Sequence, residues 1–325
     1  MTQALTNSIL SVINEKMRFL ITSHLDPDGD SLGSQIALYR ALENLGKKAT
    51  IINQGLMPAK YRFLDREGIV RFQPEALDFE PECVFILECP SLDRTGFVKN
   101  LIPDSAVTIN IDHHPDNDEY ASINLIDVDS SAVGETLYII FEKGNITIDR
   151  NIAIALYAAI ISDTGGFRFS STTARSMQIG SKLVELGADP KYISDRIYSS
   201  LAPETIKLLG YTLAGLKLEE DGKIGYVVID SDALSESGAD IENSEGFVDI
   251  ILSISGIHLG LLFKEVSKDK VKISVRSQNG CDAAAFARQF DGGGHVNAAG
   301  FSQTGRVDDV VERVISKARE FVENE

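Results

Sequence analysis

The chain has 325 residues, 43% hydrophobic and 24% charged, with 31 Lys and Arg against 48 Asp and Glu for a net charge of −17. That length suits two hydrophobic cores rather than one, the composition excludes global disorder, and the charge excludes a function resting on a broad basic surface along duplex DNA. No apolar stretch approaches the roughly 20 residues that cross a bilayer, and the start Met-Thr-Gln-Ala-Leu-Thr-Asn has no signal-peptide pattern, so a cytoplasmic protein without a membrane partner is expected.

In chain order, Met17 to Ser23 reads as a strand, Ser31 to Leu45 as a helix and Ala49 to Asn53 as a second strand, the rhythm of βαβ units. Within the helix Leu32, Ile36, Tyr39, Leu42 and Leu45 recur at three- and four-residue steps. Ser31 can cap its N-terminus, and Gly46 suits the left-handed position beyond its end. Further strands are predicted at Cys83 to Glu88 and Ala106 to Ile111. Ile152 to Ile161 reads as a buried helix leading to Ser162 and Asp163, although its length also permits a strand. Thr173 to Leu186, closed by Gly187, is a second helix.

From residue 189 to 216 the pattern is wholly helical, with Pro190 and Pro203 suited to first turns. A hairpin through Glu220, Asp221, Gly222 and Lys223 follows, then strands at Ile257 to Phe263 and Val271 to Arg276 and helices near Asp282 to Phe290 and Val307 to Val322. The expected fold is α/β: an N-terminal parallel-sheet domain over 1–188, a helical connector over 189–216, and a smaller C-terminal α/β domain over 217–325.

Four clusters of His and carboxylate stand at the ends of predicted strands or of the buried apolar segment, the edge where open α/β sheets bind ligands. Ser23-His24-Leu25-Asp26-Pro27-Asp28-Gly29-Asp30-Ser31 offers an imidazole and carboxylates on a flexible turn; the plain alternative is an acidic turn capping the next helix. Glu88 ends a strand, where a lone glutamate is more commonly solvated or paired, here with Arg94, than a ligand. Asp112-His113-His114 follows an apolar run, and adjacent imidazoles beside a carboxylate suit a metal site better than a surface pair. Asp163 closes a ten-residue apolar stretch, where burial costs free energy unless a cation is near.

His24, His113, His114 and His295 lie in such motifs, whereas His258 reads as structural. The cysteines Cys83, Cys89 and Cys281 form no CxxC pair and read as reduced, structural thiols. Oxygen and imidazole donors without thiolate suit Mn²⁺, Mg²⁺, Co²⁺ or Fe²⁺ better than structural zinc. A pair of ions about 3.5–4 Å apart is the economical reading.

Taken in order, His24-x-x-Pro27-Asp28-Gly29-Asp30, Glu88, Asp112-His113-His114 and Asp163 resemble the DHH phosphoesterase family. Val275-Arg276-Ser277, Gly292-Gly293-Gly294-His295 and Ala298-Ala299-Gly300 are similar to the DHH-associated substrate-binding domain. The resemblance implies two divalent cations, Mn²⁺ foremost with Mg²⁺ or Co²⁺ as substitutes. His24, Asp28 and Glu88 would hold one, and Asp30, Glu88, His113 and Asp163 the other. It also implies His114 beside the reacting phosphate, Asp112 orienting the histidines, and Arg276, Ser277, Gly292, Gly293, Gly294 and His295 binding substrate. Glycines there let backbone N–H groups approach a phosphate, the plain alternative being a flexible loop. The family usually carries Asp where this chain has Glu88, whose extra methylene shifts the carboxylate by more than about an ångström.

Within the family the architecture resembles the short two-domain type that hydrolyses oligoribonucleotides and 3'-phosphoadenosine 5'-phosphate. The expected partners are short oligonucleotides or small nucleotides, not long duplex DNA, and a homodimer is allowed without being required. A cyclic- or linear-dinucleotide phosphodiesterase on the same scaffold stays open, as does a nucleotide-binding regulator that has lost turnover.

Overall fold

The structure, a computed structural model, describes residues 3–73, 77–199 and 201–323. The chain divides into two compact units, residues 1–200 and 201–325.

In the first unit α1 (Gln3–Glu15) is followed by β1 (Arg18–Thr22), α2 (Gly29–Asn44), β2 (Lys48–Ile52), β3 (Val70–Arg71), β4 (Cys83–Leu87), β5 (Val107–Asp112) and β6 (Ile123–Ile126). Then come α3 (Val133–Lys143), α4 (Arg150–Asp163), α5 (Ala174–Glu185) and α6 (Pro190–Tyr198). The strands pair in parallel in the order β3-β2-β1-β4-β5-β6. Chain order runs outward in both directions from the β1–β4 pair, so the loops leaving the C-terminal ends of these strands diverge and open a crevice at that switch point. His24 lies just beyond β1, Glu88 directly after β4, and Asp112 is the last residue of β5.

Both faces of this sheet are covered. Phe19, Ile21, Phe85 and Leu87 join the core beneath the helices, while Leu20, Ile52, Val84 and Ile86 pack on the other side against Val98. Burial on both faces explains why these strands read as unbroken apolar runs rather than as alternation. The Ile152 to Ile161 segment is helical, inside α4, and Ile152, Ala153, Leu156 and Ile160 are fully buried there.

The helix expected from Ser31 starts at Gly29, and its cap is Asp28, whose carboxylate accepts from Ser31 N at 3.1 Å. An Asp cap relieves Ser31 of that duty and turns its hydroxyl toward the sheet edge. Elements α1, α3, β3 and β6 go beyond the sequence expectation; β3 and β6 have only two and four residues, too few to show a period.

α2 and α4 pack closely through small residues. A Cβ placed on Gly33 would come within 2.5 Å of the Ala155 carbonyl oxygen. Gly33→Ala is therefore expected to destabilise the protein by about 1–3 kcal/mol, because the obstacle is backbone and cannot rotate away. A denaturant midpoint unchanged from wild type would contradict that packing.

The second unit holds α7 (Pro203–Ala214), β7 (Lys217–Glu219), β8 (Ile224–Ile229), α8 (Ser231–Ser237), α9 (Phe247–Leu252) and β9 (Leu259–Ser267). They are followed by β10 (Lys270–Ser277), α10 (Ala283–Arg288), β11 (Gly293–His295), β12 (Ala298–Thr304) and α11 (Val307–Glu323). Its sheet is ordered β11-β12-β10-β9-β8-β7 and is antiparallel except for β8 with β9. One face packs on Phe286, Val310, Val314 and Ala318; the other packs on Leu208, Phe247 and Ile251. Of the two helices read as a connector, α6 lies in the first unit and α7 in the second. Among the described residues no helix is long and apolar enough to cross a membrane.

Candidate metal centre

Seven of the side chains singled out from the sequence converge at the C-terminal edge of the first sheet: His24, Asp28, Asp30, Glu88, His113, His114 and Asp163. They form three overlapping groups, each with donor atoms within 4.8 Å of one another: His24 with Asp28 and Glu88, Asp30 with Glu88, His113 and Asp163, and Glu88 with His113 and His114. The first two have the same membership as the ligand sets implied by the family resemblance. Glu88 belongs to all three.

Backbone carbonyls set the imidazoles. His24 Nδ1 lies 2.6 Å from Leu25 O, and His113 Nδ1 lies 3.2 Å from Ser130 O. A carbonyl only accepts, so each Nδ1 carries a hydrogen and each Nε2 is the nitrogen turned to the carboxylates. His24 Nε2 is 3.6 Å from Glu88 Oε2, and His113 Nε2 is 3.2 Å from Asp163 Oδ2. That is the arrangement a metal-ligating histidine adopts.

The carboxylates are held just as firmly. Asp30, fully buried, accepts from Val133 N at 2.5 Å, Gly134 N at 2.9 Å and Ser34 Oγ at 2.9 Å, which seats it at the N-terminus of α3. Glu88 donates its backbone N–H to Ile111 O at 2.9 Å and sits at φ +49°. A side chain in that left-handed region carries strain, which clusters at functional sites where the surrounding structure over-determines it. The Ser31 hydroxyl donates to Glu88 Oε2 and lies 3.0 Å from His24 Nε2, so it ties the first group together. Glu88 is not paired with Arg94.

Burial, and then Asp28, Asp30 and Asp163, hold the Glu88 carboxyl well above the usual carboxylate range. Burial, and then Asp30, push Asp163 up to about 7; Asp30 is raised mainly by burial. Burial lowers His113, but its hydrogen bond with Asp163 and the charges of Asp163 and Asp30 outweigh that and lift it to about 10. Among the described residues no Lys or Arg pairs with these four carboxylates. Crowded carboxylates and oriented imidazoles without an ammonium or guanidinium fit divalent cations that favour oxygen and nitrogen donors.

Asp112 lies behind the cluster. Its Oδ1 accepts from His114 Nδ1 at 2.7 Å and from His113 N at 2.8 Å, and its Oδ2 accepts from Asn117 Nδ2 at 2.6 Å. Burial works against its ionised form, but the His114 and Asn117 hydrogen bonds hold it below the usual range. Asp112→Asn is expected to lower kcat by about 10–100-fold while leaving metal affinity nearly unchanged, because it disturbs the tautomer of His114, which belongs to neither of the two cation sets implied by the resemblance. Steady-state kinetics beside calorimetric metal titration would separate the two.

In the second unit the register aligns His295, Ala298 and Arg276 in one row across β11, β12 and β10. Arg276 Nε donates to Asp249 at 2.9 Å, a partner the sequence did not announce. The buried Ser277 hydroxyl donates to Val296 O at 2.8 Å and accepts from Ala283 N at 3.1 Å, so it supports the sheet edge. The glycine run is not a flexible loop: a Cβ on Gly292 would come within 2.5 Å of Gly300 O, and one on Gly294 within 2.4 Å of Ala298 O. Close strand packing therefore requires these two glycines, and only Gly293 opens onto free space. The His295 side chain lies outside the described part of the structure.

Ser31, Asn117, Ser130 and the α3 N-terminus are the contributions that sequence reading missed. Ser31, three residues past Asp28, carried a signal; a backbone carbonyl or N–H carries none.

Residues 18–160 match the DHH family, N-terminal domain, and residues 221–324 the DHHA1 domain. The chain is 30% identical over 301 residues to the bifunctional oligoribonuclease and PAP phosphatase NrnA of Thermus thermophilus, covering 92% of this chain and 89% of that protein. It is 26% identical to NrnA of Bacillus subtilis over 87% of this chain and 88% of the relative. Among solved structures, an exopolyphosphatase-related protein from Bacteroides fragilis superposes with a TM-score of 0.91 at 24% identity, covering 99% of this chain and 96% of the other. The chain thus belongs to the DHH family and is a hydrolase acting on phosphate esters, with a DHHA1 domain as its C-terminal part.

Proposed function

We propose that this protein hydrolyses very short oligonucleotides and 3'-phosphoadenosine 5'-phosphate with water activated between two divalent cations, Mn²⁺ foremost. The observation that carries the reading is Glu88, a single carboxylate common to both donor groups and so suited to bridge a pair of ions. In this reading His24, Asp28 and Glu88 hold one cation, and Asp30, Glu88, His113 and Asp163 the other. Bound there, the pair would lower the pKa of water and offset charge developing at phosphorus.

The remaining steps belong to the chain's own groups. His114, hydrogen-bonded through Nδ1 to Asp112, orients the reacting phosphate, and Asp112 keeps it in one tautomer. Residues 1–188 act as the catalytic domain, 189–216 as the connector and 217–325 as the recognition domain. Arg276, the glycine run and His295 recognise the substrate, with Ser277 as support. The names of the NrnA relatives favour this substrate class. The net charge of −17 agrees, since a short substrate needs no extended basic track.

The test is a panel of 3'-phosphoadenosine 5'-phosphate, pApA, cyclic di-AMP and pyrophosphate with Mn²⁺, with products resolved by chromatography. Cleavage of the first two is expected. Hydrolysis of pyrophosphate alone would overturn the nucleotide reading, cleavage of cyclic di-AMP in preference would favour a cyclic-dinucleotide phosphodiesterase, and binding without cleavage would favour a regulator.

A further inference from the structure

Arg175 stands in the first turn of α5, where the positive end of the helix dipole disfavours a cation. Its partners explain the placement. The guanidinium Nε donates to Glu135 Oε1, and Nη2 donates to Asp127 Oδ2 at 3.3 Å and to the Asp129 carbonyl oxygen at 3.4 Å. Glu135 is fully buried and Asp127 nearly so. Among the described residues Arg175 is the one cation paired with Glu135, and a buried carboxylate is stable only when its charge is met in this way.

The segment between these two anions carries supports of the metal centre. Asp127 donates its backbone N–H to Asp112 O at 2.9 Å, and its own carbonyl accepts from Ser130 N at 2.8 Å. The other oxygen of Glu135 accepts from Ser131 N at 3.2 Å and from Ser131 Oγ at 2.5 Å. Between those fixed points the Ser130 carbonyl sets the His113 imidazole, and the Val133 and Gly134 N–H groups seat Asp30. The supports of the other donor group lie elsewhere, with Leu25 O holding His24 and Ser31 N holding Asp28.

We infer that Arg175 is a positioning residue for one half of the metal centre: by gripping Glu135 and Asp127 it holds residues 127–135 so that Asp30 and His113, and not His24 and Asp28, are aimed at their cation. The inference rests on the two-cation reading above. A guanidinium fork suits the task because it reaches both carboxylates in a fixed geometry, whereas an ammonium is a point charge on a flexible stem.

The test compares Arg175→Lys with wild type in titrations with Mn²⁺, the unbound ion being counted by its electron paramagnetic resonance signal. The lysine keeps the charge that Glu135 needs, so the variant should fold, which Tm in EDTA checks. Of the two binding steps, the one that His113→Ala also weakens should fall about tenfold, the lower end of what such indirect supports contribute, while the other stays within about twofold. Equal weakening of both steps, or a lower Tm in EDTA with both steps unchanged, would make the fork part of the scaffold and overturn the inference, as would no effect at all. If Arg175→Lys does not fold, Asp127→Asn, which loosens one arm and leaves Glu135 paired, is judged by the same two steps. Should wild type bind no more than one Mn²⁺, the two-cation reading fails. The inference is then judged on the metal-free protein by the nitrogen-15 shift of His113 Nδ1, where identical values in wild type and Arg175→Lys overturn it.

Discussion

Glu88→Gln is expected to lower kcat/KM by more than about 1000-fold and, at the same time, to leave the metal-free protein as stable as wild type or more so. The loss follows from its place in every donor group. Even partners one step removed from a metal cost about 10–100-fold when altered, and an amide is a much poorer bridging donor than a carboxylate. The stability effect has the opposite sign because the wild-type carboxyl is buried among Asp28, Asp30 and Asp163 and raised well above its ordinary range. A neutral amide avoids that repulsion and still accepts from the Ser31 hydroxyl. The variant's Tm in EDTA should match or exceed that of wild type at pH 8, and Mn²⁺ should no longer raise it. A variant that is both destabilised without metal and still stabilised by Mn²⁺ would place Glu88 in the scaffold rather than in the site. Glu88→Asp, the family's usual residue, should retain activity within about tenfold while changing the preferred metal, since both oxygens remain but the reach is shorter.

Metal affinity is expected to rise at least about tenfold per pH unit between pH 5.5 and 7.5, because each bound cation displaces protons. The sign follows from the direction of the shifts. Asp163, raised from 3.8 to about 7, favours the metal-free fold fully below 3.8 and loses that contribution as pH rises through about 7. His113, raised from 6.5 to about 10, loses its contribution between those two values. Both make the metal-free protein less stable with rising pH. Cations reverse this by taking the carboxylates ionised and the imidazoles neutral, so the Tm increase on adding Mn²⁺ should be small at pH 5.5 and large at pH 8. Calorimetric titration in two buffers of different ionisation enthalpy would count the protons released; an affinity that does not change with pH would contradict the assignment of Asp163 and His113 as ligands.

The sequence by itself determined the composition of the candidate site. His24, Glu88, the Asp112-His113-His114 run and Asp163 were legible because they close apolar runs that must be buried, Asp28 and Asp30 because they share the turn after His24, and the family resemblance supplied their grouping. The main strands were legible as short unbroken apolar runs, and the amphipathic helices by their three- and four-residue periodicity. Only the tertiary structure decided how those donors are aimed. The Leu25 and Ser130 carbonyls that set two imidazoles, and the α3 N–H groups that seat Asp30, are backbone atoms common to every residue, so no side-chain pattern could reveal them. The fold likewise decided that Gly292 and Gly294 serve strand packing, and that Arg175 grips Glu135 and Asp127. Arg175 is far from both in sequence, and charge pairing across such a separation exists only once α5 is packed in place.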